Sequence, residues 1–123
     1  MRFIVDKHDR YVVIEPLVDF LDRESAAKLK AEFMLRSTSG QRNIILDLHV
    51  VETADEDVLR LGLLARRLCK ESGGLFILTG LNPNVVDLLK MSKLENYFKI
   101  AESVSTAEDM IFGNEIRLDL RGV

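Results

Sequence analysis

The chain has 123 residues, 47% of them apolar and 30% charged, with a net charge of −3. That is enough for one domain burying roughly two-thirds of its unfolded surface, and too little for two. The acidic balance argues against a nucleic-acid partner, which asks for a basic face, and the single cysteine, Cys69, excludes an internal disulfide.

The opening decapeptide MRFIVDKHDR lacks the apolar core and cleavage site of a signal peptide. No apolar run approaches the roughly 18 residues of a membrane span, so the expectation is a cytoplasmic protein without membrane insertion. Met1 to Val5 alternates weakly and Tyr11 to Ile14 is β-branched and apolar, with the polar turn KHDR between them. Two strands so close predict an antiparallel hairpin, the second strand ending at Pro16. Asp22 then caps a helix whose Ala26, Leu29, Phe33 and Met34 share one buried face. STSGQRN is a loop by composition.

Asn43 to Leu48 reads as a strand covered on both faces, because IIL is continuous rather than alternating. Asp55, followed by Glu56 and Asp57, opens a helix reaching about Glu71, and SGG ends it. Leu75 to Leu78 is another buried strand. Asn82 or Asn84 starts a short helix with Val85, Leu88 and Leu89 inward. Tyr97 to Ile100 is a last core strand, and Ser105 or Thr106 caps a final helix through Met110 and Phe112.

The order β-β-α-β-α-β-α-β-α, with about four helices, predicts a single α/β domain. Its mixed, mainly parallel sheet opens with one antiparallel pair. The domain is expected over residues 1–112. Residues 113–123 form an extension in which Ile116, Leu118 and Leu120 alternate with charges. That alternation allows an edge strand, a strand lent to a partner, or a tail.

Little points to catalysis. His8 lies in a turn, His49 follows a strand, and no G-x-S-x-G elbow or phosphate-binding glycine fingerprint exists. Cys69, mid-helix among apolar residues, reads as a small core residue. No cysteine–histidine metal pattern occurs; Glu52, Asp55 and Asp57 could gather a hard cation, but the spacing is not that of a calcium loop. The expectation is therefore no enzyme, no cofactor and no metal. Arg60, Arg66, Arg67 and Lys70 read as a solvated helix face. Asp47, Thr79 and Lys99 at strand ends suggest a phospho-accepting receiver domain, yet the acidic pair such chemistry needs after the first strand is missing, since Glu15 is followed by Pro16 and Leu17.

Three stretches together carry a family likeness: DFLDRESAAKL (Asp19 to Leu29), NIILDL with Asp47, and GGLFILTGLNPNVVDLLKMSKLENYFKI (Gly73 to Ile100). They resemble the STAS domain typified by bacterial anti-sigma-factor antagonists, over about residues 8–112. In the first stretch Asp22 and Ala26 match the family's pattern, while Asp19 stands where a Gly is usual. The resemblance implies a non-catalytic regulatory protein-interaction module. In the family, D-S-S-G-L stands where the central strand meets its helix, and a partner kinase phosphorylates the first Ser. Here that place reads Asp55, Glu56, Asp57, Val58, Leu59. The Asp matches, Glu56 replaces the phosphoacceptor, Val58 replaces the Gly, and Thr53 lies three positions too early to substitute. The resemblance thus implies a kinase-type anti-sigma factor as protein partner, bound through Asp22, Asp55, Glu56, Asp57, Val58 and Arg60, with no serine switch at position 56. A carboxylate at a helix start shares the field that receives a phosphate there, so Glu56 reads either as phosphomimetic, with one charge in place of nearly two, or as an acid favoured in any first helical turn. A second reading is a small structural subunit of a larger assembly, a transport complex or signalling particle. It leaves a homodimer open, because an edge strand at the C-terminus invites pairing.

Overall fold

A computed structural model describes residues 2–122. Its first strands, β1 (Phe3–Lys7) and β2 (Val12–Pro16), form the expected hairpin, Val5 facing Ile14 in antiparallel register. Met1, with which the first strand was expected to open, lies outside the described residues. There follow β3 (Phe20–Leu21), α1 (Arg23–Thr38), β4 (Ile44–Asp47), β5 (Thr53–Ala54), α2 (Glu56–Glu71), β6 (Phe76–Thr79), α3 (Pro83–Met91), a 3-10 turn (Glu95–Tyr97), β7 (Lys99–Ala101) and α4 (Val104–Leu120).

The five-stranded sheet runs β1-β2-β4-β6-β7, parallel except for β1. Strand side chains alternate between faces, and both faces are covered, which is why IIL and FIL are apolar without a break. Val12, Ile14, Ile44, Leu46, Phe76 and Leu78 pack with Leu29 and Phe33 of α1, Val58, Leu59, Ala65 and Cys69 of α2, and Val85 and Leu89 of α3. Val13, Ile45, Ile77 and Ala101 turn the other way, onto Ala107 and Ile111 of α4. Three helices thus cover one face and one covers the other.

Several expectations are corrected. Met34 is exposed: it stands five positions after Leu29, about 140° around the helix, while Phe33 at four positions stays on the buried stripe. Ser37 and Thr38 belong to α1 rather than to the loop. Tyr97 lies in the 3-10 turn, and Ile100 on edge strand β7 is 46% exposed, so neither is a core strand residue. The last helix is capped by Ser103, whose hydroxyl accepts the Thr106 N–H, and so begins before Ser105.

The largest correction is at the C-terminus. Ile116, Leu118 and Leu120 lie on α4, which passes residue 112 without interruption, and they form no edge strand or tail. The side of α4 that meets the sheet carries Ala107, Ile111, Asn114 and Glu115, all buried. Glu115 accepts hydrogen bonds from Arg42 and Asn43, and Asn114 donates to the Gly73 carbonyl. The helix is therefore anchored by polar residues, while Phe112, Ile116 and Leu120, spaced four apart, face out. Val123 lies outside the described residues.

Candidate functional site

Two short parallel segments zip the starts of α1 and α2 together. The N–H groups of Glu52 and Thr53 donate to the Asp19 carbonyl and that of Asp55 donates to the Leu21 carbonyl. Phe20 thereby pairs with Thr53 and Leu21 with Ala54. Leu21 and Ala54 turn into the core, and the next residue of each segment, Asp22 and Asp55, is the N-cap of a 16-residue helix.

The two caps behave differently. Asp22 accepts from the N–H and the hydroxyl of Ser25 inside its own helix, each at 2.9 Å. The Ser25 hydroxyl, then its N–H, hold the Asp22 carboxyl below its ordinary value of 3.8. Asp55 makes no side-chain cap on α2. Its carboxylate instead accepts the backbone N–H of Arg23, the first residue of α1, at 2.8 Å. The first turn of α1 is thus served by two carboxylates from two segments.

The other two acids also have assigned places. Asp57 is paired at 3.2 Å with the Arg23 guanidinium and Glu56 at 3.3 Å with Arg60, one turn on. The Ser92 side chain, at the C-cap of α3, is the main reason the Glu56 carboxyl lies below the ordinary 4.5; the Arg60 charge comes second. Of the residues assigned to partner binding from sequence, the structure gathers Asp22, Asp55, Glu56, Asp57 and Arg60 around the paired helix starts. Val58 is different: it is buried in the core under α2, so its side chain holds the helix down and offers a partner nothing.

Other expected candidates separate. Asp47 and Thr79 face each other on β4 and β6, but Lys99 stands opposite Ile77, two positions nearer the strand starts, and does not join them. Arg66 lies over the Tyr97 ring, 5.9 Å from its centroid. Cys69 is buried, and burial pushes its thiol up to about 12. Sequence reasoning missed one constellation, Glu15, Asp47 and His49, because it joins two strands and a loop distant in the chain. His49 Nε2 lies 3.1 Å from Glu15 and Nδ1 3.1 Å from Asp47. The hydrogen bond to Asp47 is the chief cause of a raised imidazole pKa, with partial burial opposing it.

A family model described as the STAS domain matches residues 3–107. BtrV of Bordetella bronchiseptica, a provisionally assigned anti-sigma factor antagonist, is 27% identical over 107 residues, 87% of this chain and 91% of BtrV. Among solved structures, a provisionally assigned anti-sigma factor antagonist of Thermotoga maritima matches with a TM-score of 0.79 and 26% identity, over 89% of this chain and 93% of that one. RsbS of Moorella thermoacetica carrying a serine-to-glutamate substitution matches with a TM-score of 0.76 and 25% identity, over 92% of this chain and 97% of its own. No helix among the described residues is long and apolar enough to cross a membrane.

Proposed function

The chain belongs to the STAS-domain family, and from that premise we propose that it is a non-catalytic regulatory module that binds a kinase-type anti-sigma factor through the paired starts of α1 and α2. The observation that carries this reading is the placement of Glu56. It stands in the exposed first turn of α2, on a surface built by the zipped segments before both helices. That is the position at which the family's pattern has its phosphorylated Ser. A kinase has no hydroxyl to modify there. The carboxylate, paired with Arg60, supplies a permanent single negative charge where a phosphate would bring nearly two. A relative solved with glutamate in place of a serine supports the idea that this substitution is compatible with the fold. The module is then held in the state that phosphorylation would otherwise produce.

The test is affinity capture of the cognate kinase-type anti-sigma factor by wild type, Glu56→Ser and Glu56→Ala, with phosphate transfer to the Ser variant measured in parallel. Tighter retention by both variants than by wild type, with labelling of Glu56→Ser, supports a locked switch. Equal retention by all three with no labelling would reduce Glu56 to a helix-start residue.

A second reading, a subunit of a larger assembly, is favoured by Phe112, Ile116 and Leu120 on the outer side of α4, a stripe of exposed apolar side chains one turn apart. A mass in solution that stays monomeric at every concentration would count against self-association through that stripe.

A further inference from the structure

Glu15, Asp47 and His49 meet at the carboxyl end of the parallel strands, the edge at which open α/β sheets bind ligands, and on the α4 side of the sheet, opposite to α1 and α2. Ile14 and Leu46 are the last positions at which β2 and β4 pair with each other. One residue further on, Glu15 and Asp47 leave the sheet together, on the face opposite to the Ile14 and Leu46 side chains. His49 follows two residues after Asp47 and places its ring between the carboxylates. One ligand atom from each residue lies within 4.8 Å of the others. Bonds of 2.0–2.2 Å to one ion would set such atoms roughly 3.3–3.6 Å apart, so closing on an ion asks for movements of about an ångström.

Two features fix the arrangement. Asp47 Oδ1 also accepts the His49 backbone N–H at 3.2 Å. Gly80, at φ +68°, runs so close that a Cβ there would stand 2.9 Å from Asp47 Oδ1 and 2.8 Å from His49 Cβ; only glycine suits both that conformation and that approach. An independent observation points to a ligand. Thr79 faces Asp47 in register on β6, so its side chain leaves the sheet on the same face. It is 1% exposed, and its hydroxyl has no hydrogen-bond partner among the described residues. A cavity of about 410 Å³, lined in part by Tyr11, Glu15, Asp47, Val104 and Glu108, opens beside the cluster and gives it an acidic approach.

We propose that Glu15, Asp47 and His49 form a binding site for a divalent transition-metal ion of the zinc type, with one coordination position left open. Two carboxylates balance the charge of the ion, and the imidazole selects zinc-like metals over magnesium and calcium, which prefer all-oxygen sites. Of the acids that the sequence offered for a hard cation, Asp55 and Asp57 are instead engaged with Arg23.

The test is calorimetric titration of the full chain with Zn²⁺, and separately with Mg²⁺, for wild type, His49→Ala, Glu15→Gln and His8→Ala, with Co²⁺ absorption as a second readout. His49 is exposed, so its removal spares the fold. One equivalent of Zn²⁺ should bind wild type. His49→Ala and Glu15→Gln should each weaken it at least tenfold and abolish the visible Co²⁺ bands, while His8→Ala leaves both unchanged. Absence of saturable binding, binding that survives His49→Ala, or Mg²⁺ bound as tightly as Zn²⁺ would overturn the proposal.

Discussion

The carboxylate of Asp55 stands at the start of one helix and caps another, accepting the N–H of Arg23 at 2.8 Å. Three acids in a row at a helix start could be explained by the helix field alone, which favours any carboxylate in a first turn. In the folded chain each of them has a different role. Asp55 ties α2 to α1, Asp57 pairs with the side chain of Arg23, and Glu56 reaches Ser92 at the end of α3. The block is thus a junction of three helices.

Asp55→Ala removes the carboxylate that serves the first N–H of α1. Losing a capping acceptor costs about 0.5–2 kcal/mol, and urea unfolding should show a loss in that range. Asp55→Asn keeps an acceptor and should recover most of it. An Ala variant as stable as wild type would show that Asp22 alone satisfies the end of α1.

The Glu56 carboxyl is held low chiefly by Ser92 and secondly by Arg60. Ser92→Ala should therefore raise its pKa toward the ordinary value by more than Arg60→Ala does, read from the Glu56 side-chain carbon in an NMR titration. The reverse order would mean that the ion pair one turn along the helix, and not the link to α3, fixes this side chain.

Asp22 gives a pH signature. Its folded pKa lies below the unfolded 3.8. Its contribution to stability is therefore fully present above the unfolded value and disappears as pH falls through the folded one. The gap in urea midpoint between wild type and Asp22→Asn should be constant from pH 7 to 5, begin to shrink near 3.8 and close as pH falls through the lower folded value. A gap that widened in acid would contradict the Ser25 hydrogen bonds as its source.

How much of this was legible in the sequence depended on range. The hairpin, the runs IIL and FIL, and the Asp22 cap are local patterns, and the structure has them. The pairing of Phe20–Leu21 with Thr53–Ala54 joins strands of two residues, too short for any periodicity, so the second role of Asp55 could not be read. The C-terminal alternation misled because α4 buries Asn114 and Glu115 and exposes Ile116 and Leu120, inverting the usual rule that apolar residues face inward. Val58 fell on the candidate surface by sequence position alone, while helix geometry turns its side chain under α2.

Cys69 should be inert in the folded protein. Burial lifts its thiol from 9.0 to about 12, leaving roughly a thousandfold fewer thiolates near neutral pH than a free thiol would show. Labelling by an aromatic disulfide at pH 8 should be slow and should accelerate when urea opens the chain. Rapid labelling of the native state would contradict the packing of α2 on the sheet.

Two glycines should respond to alanine with opposite signs. At Gly74 a Cβ would stand 1.9 Å from the Arg42 carbonyl oxygen. That oxygen is backbone, just before Asn43, whose side chain accepts the Leu75 N–H and donates to the Arg10 carbonyl and to Glu115. Relieving the clash must move the start of β4 or β6 and disturb those bonds, so Gly74→Ala should lose at least about 1–3 kcal/mol. Gly113 lies inside α4 with nothing near its missing Cβ. There alanine lowers the entropy cost of the helix and should gain about 0.5–1 kcal/mol. Urea unfolding of the two variants tests both. A stabilising Gly113→Ala would also show that residues beyond 112 are helical in solution, because in a tail or an edge strand the same change would bring no helical gain.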